Sequence, residues 1–172
     1  MNAQDPQLLI DIRIGSSGDL LQGFDRRELD AAVVRMRAGR SDGEVLAEER
    51  FGWFAAPHWQ HRAGDPLPLA TLAEPCGVRA MAGQLLDTAG MPWREVFVGG
   101  GVAAVSAAVV AGLGVAALAP RMLPWGAVDV GTRLGLPELP RLPVVLHSRA
   151  RDGRPRDAIT ALSAAFKSAV RG

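Results

Sequence analysis

The stretch WREVFVGGGVAAVSAAVVAGLGVAALAP, residues 93–120, decides the fold. It carries no charge from Val96 to Pro120, so its length alone would allow a helix that crosses a bilayer. It is nevertheless mostly glycine and alanine, and the glycines at 99–101, 112 and 114 would weaken a continuous helix. The pattern therefore predicts three buried pieces: a strand end at 96–98, a helix at 102–111 and a strand at 115–118.

The composition predicts a soluble, folded domain. Of the 172 residues, 48% are hydrophobic and 22% are charged, which is enough apolar material for a packed core. Nineteen Lys and Arg residues against eighteen Asp and Glu residues leave a net charge of +1, which argues against nucleic-acid binding through bulk positive charge. Cys76 is the single cysteine, and the start of the chain has no signal-peptide pattern. We therefore expect a cytoplasmic protein with no membrane contact.

Working outward from the central stretch, short apolar runs alternate with helical patterns. Strands are predicted at 8–14, 31–34, 45–56 with a break at Gly52, 76–81, 93–98, 115–118 and 142–149, and helices at 20–24, 69–73, 82–89, 102–111 and 157–170. Gly90 is a favourable left-handed end for the helix at 82–89. This alternation is typical of an α/β protein with a mostly parallel sheet. Because 8–52 and 142–172 flank the block 57–120, we expect two lobes, one of which the chain leaves and re-enters.

Four segments together resemble the C-terminal effector-binding domain of LysR-type transcriptional regulators. They are ELDAAVV (28–34), with Arg27 where that family more often has glycine, RFGWFAAPHW (50–59), VAAVSAAVVAGLGVAALAP (102–120), and LPVVLHSR (142–149) followed by a helix that contains AAFKSAV (164–170). The resemblance covers nearly the whole chain.

The resemblance implies a type II periplasmic-binding-protein fold with lobe I at 1–55 and 122–172 and lobe II at 56–121. Hinges would fall near 55–58 and 119–122, and a small metabolite, with an anion among the options, would bind in the cleft between the lobes. By the same resemblance, the family's DNA-binding domain and the opening strand and helix of lobe I are absent from these 172 residues, as in a fragment, a natural truncated product or a product of a misplaced start, so the first sheet would have an unpaired edge. DNA contact would then need a domain outside these residues, and a homo-oligomer, a dimer or more, is expected.

Ten residues are candidates for the ligand site. Ser16 and Ser17 precede a helix and would hold an anion or simply cap that helix. Arg79 would pair with an anionic effector or form a surface ion pair, and the resemblance adds its neighbours Ala80 and Met81. Gly99, Gly100 and Gly101 would let a ligand approach the backbone or form a tight turn. Pro120 and Arg121 lie at the second predicted hinge.

No arrangement of residues supports catalysis, a cofactor or a metal. His58, His61 and Cys76 lack the spacing of a metal site, and His147 and Ser148 are adjacent on a strand and point to opposite faces. Trp53 and Trp125 are interpreted as core or lobe-packing residues. The leading hypothesis is an effector-sensing and oligomerisation domain. The alternative is an interaction protein that associates with itself, or with longer relatives, without sensing a ligand.

Overall fold

The computed structural model describes residues 7–36, 39–73, 77–122 and 125–171. The helices are α1 (Ser17–Asp25), α2 (Gly77–Thr88), α3 (Val102–Val110) and α4 (Gly153–Arg171). The strands are β1 (Ala31–Arg35), β2 (Glu44–Glu49), β3 (Gly52–Ala55), β4 (Leu67–Leu72), β5 (Trp93–Gly99), β6 (Ala116–Leu118), β7 (Val128–Asp129) and β8 (Leu142–Ser148). The chain separates into two compact units: the first comprises 1–49 and 142–172, and the second comprises 50–141.

The first unit is built on an antiparallel sheet in the order β1-β8-β2. Alternate residues of β1 and β8, including Val34 and Val145, point toward α1, whose Leu21 and Phe24 complete a buried cluster. Lys167 of α4 forms an ion pair with Glu44 of β2. Hydrophobic residues at helical spacing on α1 and at period two on the strands thus produce this core, as the sequence pattern predicts.

A turn stabilised by arginine follows α1. Arg27 has a φ of +62°, a left-handed conformation that costs energy for any residue other than glycine. This is the position at which the LysR-type pattern more often has glycine. The guanidinium of Arg149, the residue directly after β8, lies 3.8 Å from the centre of the Phe24 ring and donates to the carbonyls of Phe24 and Leu29, so Arg149 holds this turn in place.

The second unit contains a parallel pair and an antiparallel sheet. β4 and β5 are parallel neighbours joined by α2, which is a βαβ unit, whereas β3 lies between β6 and β7 with antiparallel pairing. One core cluster contains Leu67, Leu69 and Leu86, and a second contains Phe54 and Val109. Gly90 has a φ of +69° just after α2, as predicted.

Three predicted elements are wrong. Residues 8–14 form no strand, because no other segment among the described residues pairs with them. The helix expected at 69–73 is β4, since Leu67 and Leu69 alternate into the core at the period of a strand. The strand expected at 76–81 is the first turn of α2 from Gly77 onward, and Cys76 lies outside the described residues.

Three broader expectations also need correction. The sheets are mainly antiparallel, and within the described chain only β4 and β5 among the named strands pair in parallel. Residues 50–55 and 122–141 group with the second unit rather than with the first, because β3 pairs with β6 and β7. Trp125 is 97% exposed and is no core residue, whereas Trp53 is buried as expected.

Among the described residues, no helix has the length and apolar composition needed to span a membrane. The uncharged stretch at 96–120 is instead divided into the end of β5, the helix α3 and the strand β6, as predicted.

Candidate functional site

The second unit contains a pocket where the ends of β4 and β6 meet α2. Strand β4 contributes Leu69 to Leu72, and α2 contributes Val78, Arg79 and Ala82. The remaining wall consists of Trp53, Val105, Ala117 and Leu118. The space that the pocket encloses is small, about 20 Å³, which is room for a water molecule or two. Of its eleven described lining residues, nine are apolar, so two polar side chains, Thr71 and Arg79, determine its polar chemistry.

Thr71 brings a buried hydroxyl without a partner into this pocket. Its side-chain oxygen is inaccessible to solvent and has no hydrogen-bond partner, and it is the one such side-chain atom found in the described part of the chain. The residue as a whole is 8% exposed. Leaving a buried hydroxyl unpaired costs about 1–3 kcal/mol, which a bound group can recover by supplying the missing hydrogen bond. Thr71 is therefore a group at this pocket whose hydrogen-bonding capacity is unmet.

Arg79, on the first turn of α2, is paired with Glu95 of β5. Its Nε donates to Glu95 Oε1 at 2.5 Å, and a second guanidinium nitrogen contacts the same oxygen. Both side chains are about one-quarter exposed, 24% for Arg79 and 22% for Glu95. Of the two interpretations of Arg79, the ion pair is the one found, and its partner lies on β5. Its role in ligand binding stays a prediction.

The other candidate residues of the second unit lie around the pocket rather than in its wall. Ala80 is exposed, and Met81 packs against the core cluster of Leu67 and Leu86. Pro120 and Arg121 lie in an exposed 3-10 turn, Pro120–Met122, directly after β6. Their assignment to a ligand site therefore stays a prediction.

The glycine triplet forms the turn between β5 and α3. A Cβ on Gly99 would lie 2.9 Å from the Phe97 ring and 3.1 Å from the Cβ of Ala104, so close packing requires a glycine there. Gly100 and Gly101 face open space, and Gly101 is the N-cap of α3 without a side-chain hydrogen bond. Packing thus explains Gly99, and a ligand role for the triplet stays a prediction.

Ser16 and Ser17 lie in the first unit, and both hydroxyls have backbone donors. Ser16 Oγ accepts from the amide of Asp19 at 3.1 Å, which makes Ser16 the N-cap of α1. Ser17 Oγ accepts from the amide of Arg35 at 3.1 Å and so links α1 to β1. Helix capping, the alternative interpretation, therefore accounts for Ser16.

A charged cluster close to the end of α1 is the clearest electrostatic feature of the first unit. Arg40 makes a two-pronged contact with Asp25, at 2.7 and 2.9 Å, and also hydrogen-bonds Asp42. Hydrogen bonds from this guanidinium hold the pKa of Asp25 and of Asp42 below the ordinary value of 3.8, and they raise the pKa of Arg40. All three side chains are satisfied within the cluster, so it links the turn at 39–43 to α1.

Sequence reasoning missed Thr71 and Glu95. Leu67, Leu69 and Thr71 alternate along β4 and are all buried. A polar residue at the third position of such an apolar series is the signal by which Thr71 could have been identified. Glu95 is a half-buried residue between two exposed neighbours on β5, and no pattern in the sequence indicated its pairing with Arg79. Within the described ranges, no three His, Cys, Asp or Glu side chains come together as a metal site would require.

Comparisons with known proteins agree on one family. A family model described as the LysR substrate binding domain matches residues 1–171. The HTH-type transcriptional regulator PecT of Dickeya dadantii is 29% identical over 135 residues, which are 78% of this chain and 43% of that protein. The HTH-type transcriptional regulator DgdR of Burkholderia cepacia is 28% identical over 171 residues, which are 99% of this chain and 56% of that protein. The chain thus spans roughly half the length of these relatives, both of which are regulators rather than enzymes.

A solved structure shows the same fold. The regulatory domain of CcmR from Synechocystis PCC6803, in complex with 2-PG, superimposes with a TM-score of 0.73 at 13% identity. The match covers 95% of this chain and 85% of that one. This confirms the expected α/β architecture of the type II periplasmic-binding-protein kind.

Proposed function

This chain belongs to the LysR substrate-binding domain family, and on that premise we propose that it senses a small-molecule effector, which binds in the pocket of its second unit. The observation that carries the proposal is the unpaired hydroxyl of Thr71, which is buried at a pocket whose other described lining residues, apart from Arg79, are apolar. Proteins seldom leave a buried polar group without a partner, and such groups concentrate at sites with a functional use. An effector that supplies the partner would convert a destabilising feature into binding energy.

Effector binding would act on transcription through a DNA-binding domain outside these residues. A ligand shifts a conformational equilibrium only to the extent that it prefers one state. A ligand that hydrogen-bonds Thr71 would favour the conformation that admits it between β4 and α2, and so would supply such a preference. We further propose a cytoplasmic location and a dimeric or larger assembly, as in the family expectation.

The proposal predicts stabilisation of the purified chain by its effector. In a thermal-shift screen of small metabolites, a ligand at one hundred times its dissociation constant should stabilise the fold by about 2.7 kcal/mol, which corresponds to an increase in Tm of several degrees. All four tryptophans lie in the second unit, and Trp53 lines the pocket, so tryptophan fluorescence should respond as well. A folded protein that no metabolite stabilises would contradict the proposal.

A second function is favoured by a separate observation. In the segment 8–14, Leu9, Ile12 and Ile14 are 90%, 73% and 96% exposed, and the segment pairs with no strand among the described residues. An extended apolar segment with unpaired backbone is a template for pairing with another chain. The alternative proposal is therefore an interaction protein in which this segment pairs with the same segment of a second copy, without sensing a ligand.

Replacing Ile12 and Ile14 together by Lys tests the alternative. Sedimentation velocity should show a dissociation constant at least about tenfold higher, because burying one Ile is worth about 1.5–3 kcal/mol. The matched control replaces the interleaved Asp11 and Arg13 by Ala, which keeps the net charge and should leave association unchanged. If the unmodified chain is a monomer, or if the Lys variant associates equally well, this segment is not the contact.

A further inference from the structure

We infer that the outer edge of β1 is a docking surface for a second copy of this chain, and that it pairs with the segment 8–14 of that copy. The contact occurs twice in a two-fold dimer, because each copy has both the edge and the segment. It gives a surface to the dimeric assembly proposed above, and it does not depend on effector binding.

Hydrogen bonds at the two ends of β1 show which of its residues face β8. The amide of Met36 donates to the carbonyl of Pro143 at 2.8 Å, and the amide of Arg149 donates to the carbonyl of Asp30 at 3.2 Å. Residues of an antiparallel strand alternate between its two sides, and the pairing of β1 with β8 is in continuous register. The even-numbered residues of 30–36 therefore bond to β8, and the odd-numbered ones direct their backbone groups to the outer edge.

The outer edge of β1 is unpaired at two residues. The outward amide of Arg35 donates to Ser17 Oγ at 3.1 Å. The N–H and C=O groups of Ala31 and Val33 face the same way, and no hydrogen bond joins them to any part of the chain that the structure describes. The Val33 side chain is 42% exposed. Unpaired backbone at an exposed valine is a template for another strand.

The opposite edge of the same sheet lacks this property. β2 has a bulge between Val45 and Ala47, and it carries two exposed glutamates, Glu44 and Glu48. Bulges and charges are devices by which proteins keep an edge strand from pairing with other chains. β1 is in continuous register and has no charge at 31–34. A strand that joins this sheet from another molecule therefore joins it at β1.

The segment 8–14 is the matching half of the contact. It has an apolar residue at every even position, as a strand with one apolar face does, and Ile12 and Ile14 are 73% and 96% exposed. The charges of Asp11 and Arg13 cancel, so the segment is not repelled by the uncharged edge. A second copy thus brings to β1 an apolar segment of sufficient length, seven residues against five.

Within one copy, both ends of this segment are bound elsewhere. Gln7 Oε1 accepts from Arg154 at the start of α4, at 3.0 Å, and Ser16 caps α1. The segment does not pair with the β1 of its own chain. Its backbone therefore stays available to another molecule.

Cross-linking between copies tests which groups meet. One preparation carries Val33→Cys and a heavy nitrogen isotope, a second carries Ile12→Cys, and Cys76→Ser is added to both. After mixing and reaction with a short bis-maleimide, intact mass spectrometry separates the products, because labelled and unlabelled chains differ in mass. We expect mainly the mixed dimer. The control uses Val45→Cys in place of Val33→Cys and should give no mixed dimer.

Sedimentation velocity of the full chain measures the strength of the contact. Val33→Lys places a charge at the unpaired edge, and the dissociation constant should rise at least about tenfold, because each substitution acts twice in a two-fold dimer. Val45→Lys is the matched control: it adds the same charge to a 51% exposed valine of the other edge strand and should leave the dissociation constant unchanged. Circular dichroism checks that both variants fold, and if Val33→Lys does not fold, the cross-linking result decides alone.

A mixed cross-link together with a weakened Val33→Lys dimer supports the contact between β1 and the segment. Cross-links confined to the Ile12→Cys chain, with a Val33→Lys dimer as strong as that of the unmodified chain, would overturn it in favour of the segment-to-segment pairing of the alternative function. A chain that is monomeric at every concentration overturns both. Effector binding is tested separately by the thermal-shift screen and stands or fails on that result.

Discussion

Replacing Arg35 by Met should lower the free energy of unfolding of the first unit by about 1.5–3 kcal/mol. Glu49, the last residue of β2, is 2% exposed, and Arg35 of β1 donates to its Oε1 from two nitrogens, at 2.8 and 3.0 Å. Methionine fills much of the same space without the charge. The buried carboxylate then loses two charge-assisted hydrogen bonds, which offset part of the cost of its lost hydration.

Urea denaturation followed by far-ultraviolet circular dichroism measures this change, because α1 and α4 contribute much of the helical signal. Lys167→Met is the control: it removes the surface pair with Glu44, 3.3 Å apart, and should cost about 0–1 kcal/mol. Equal losses from the two variants would mean that the burial of Glu49 adds nothing to its pairing.

Leu86→Ala should destabilise the second unit by about 2–5 kcal/mol. Leu86 is fully buried on α2, within the cluster that includes Trp53, Leu67 and Val115. Truncation removes apolar surface from the core and leaves a cavity, and the surrounding strands can close it only in part.

Tryptophan fluorescence follows this variant selectively, because every tryptophan lies in the second unit. Gln84→Ala, on the exposed side of the same helix, is the matched control and should stay within about 0.5 kcal/mol of the unmodified chain. A Leu86→Ala midpoint equal to that of the control would show that this cluster does not limit the stability of the unit.

The elements with a strong local pattern could be predicted from the sequence. The long amphipathic helix α4, the strand β8 and the succession of β5, α3 and β6 were expected close to their observed bounds. Each has either a clear period or sharp glycine boundaries. The break of the strand at 45–56 near Gly52 is also confirmed, since β2 ends at Glu49 and β3 begins at Gly52.

Elements whose formation depends on distant pairing partners could not be predicted from the sequence. Residues 8–14 alternate as a strand should, but a strand exists only if another one pairs with it. Leu69 and Ala70 are good helix formers, and their tertiary packing overrides that preference in β4. The same limit applies to the site: Arg79 was identified from its type, but the pairing with Glu95 that cancels its charge depends on how α2 lies on β5.

The sheet of the first unit is completed only by the last strand of the chain, β8, and this determines the order in which the two units can fold during synthesis. Within the described residues, β1 and β2 each pair with β8 and with no other strand. The second unit is continuous from 50 to 141, so it can fold as soon as it leaves the ribosome, while β1 and β2 wait with open edges until residue 148 has emerged. If translation pauses after residue 141 and before residue 148 has emerged, a folded second unit is tethered to an incompletely folded first unit. The strand edges of β1 and β2 are then unpaired, and this is the stage at which chaperone binding would protect the chain most.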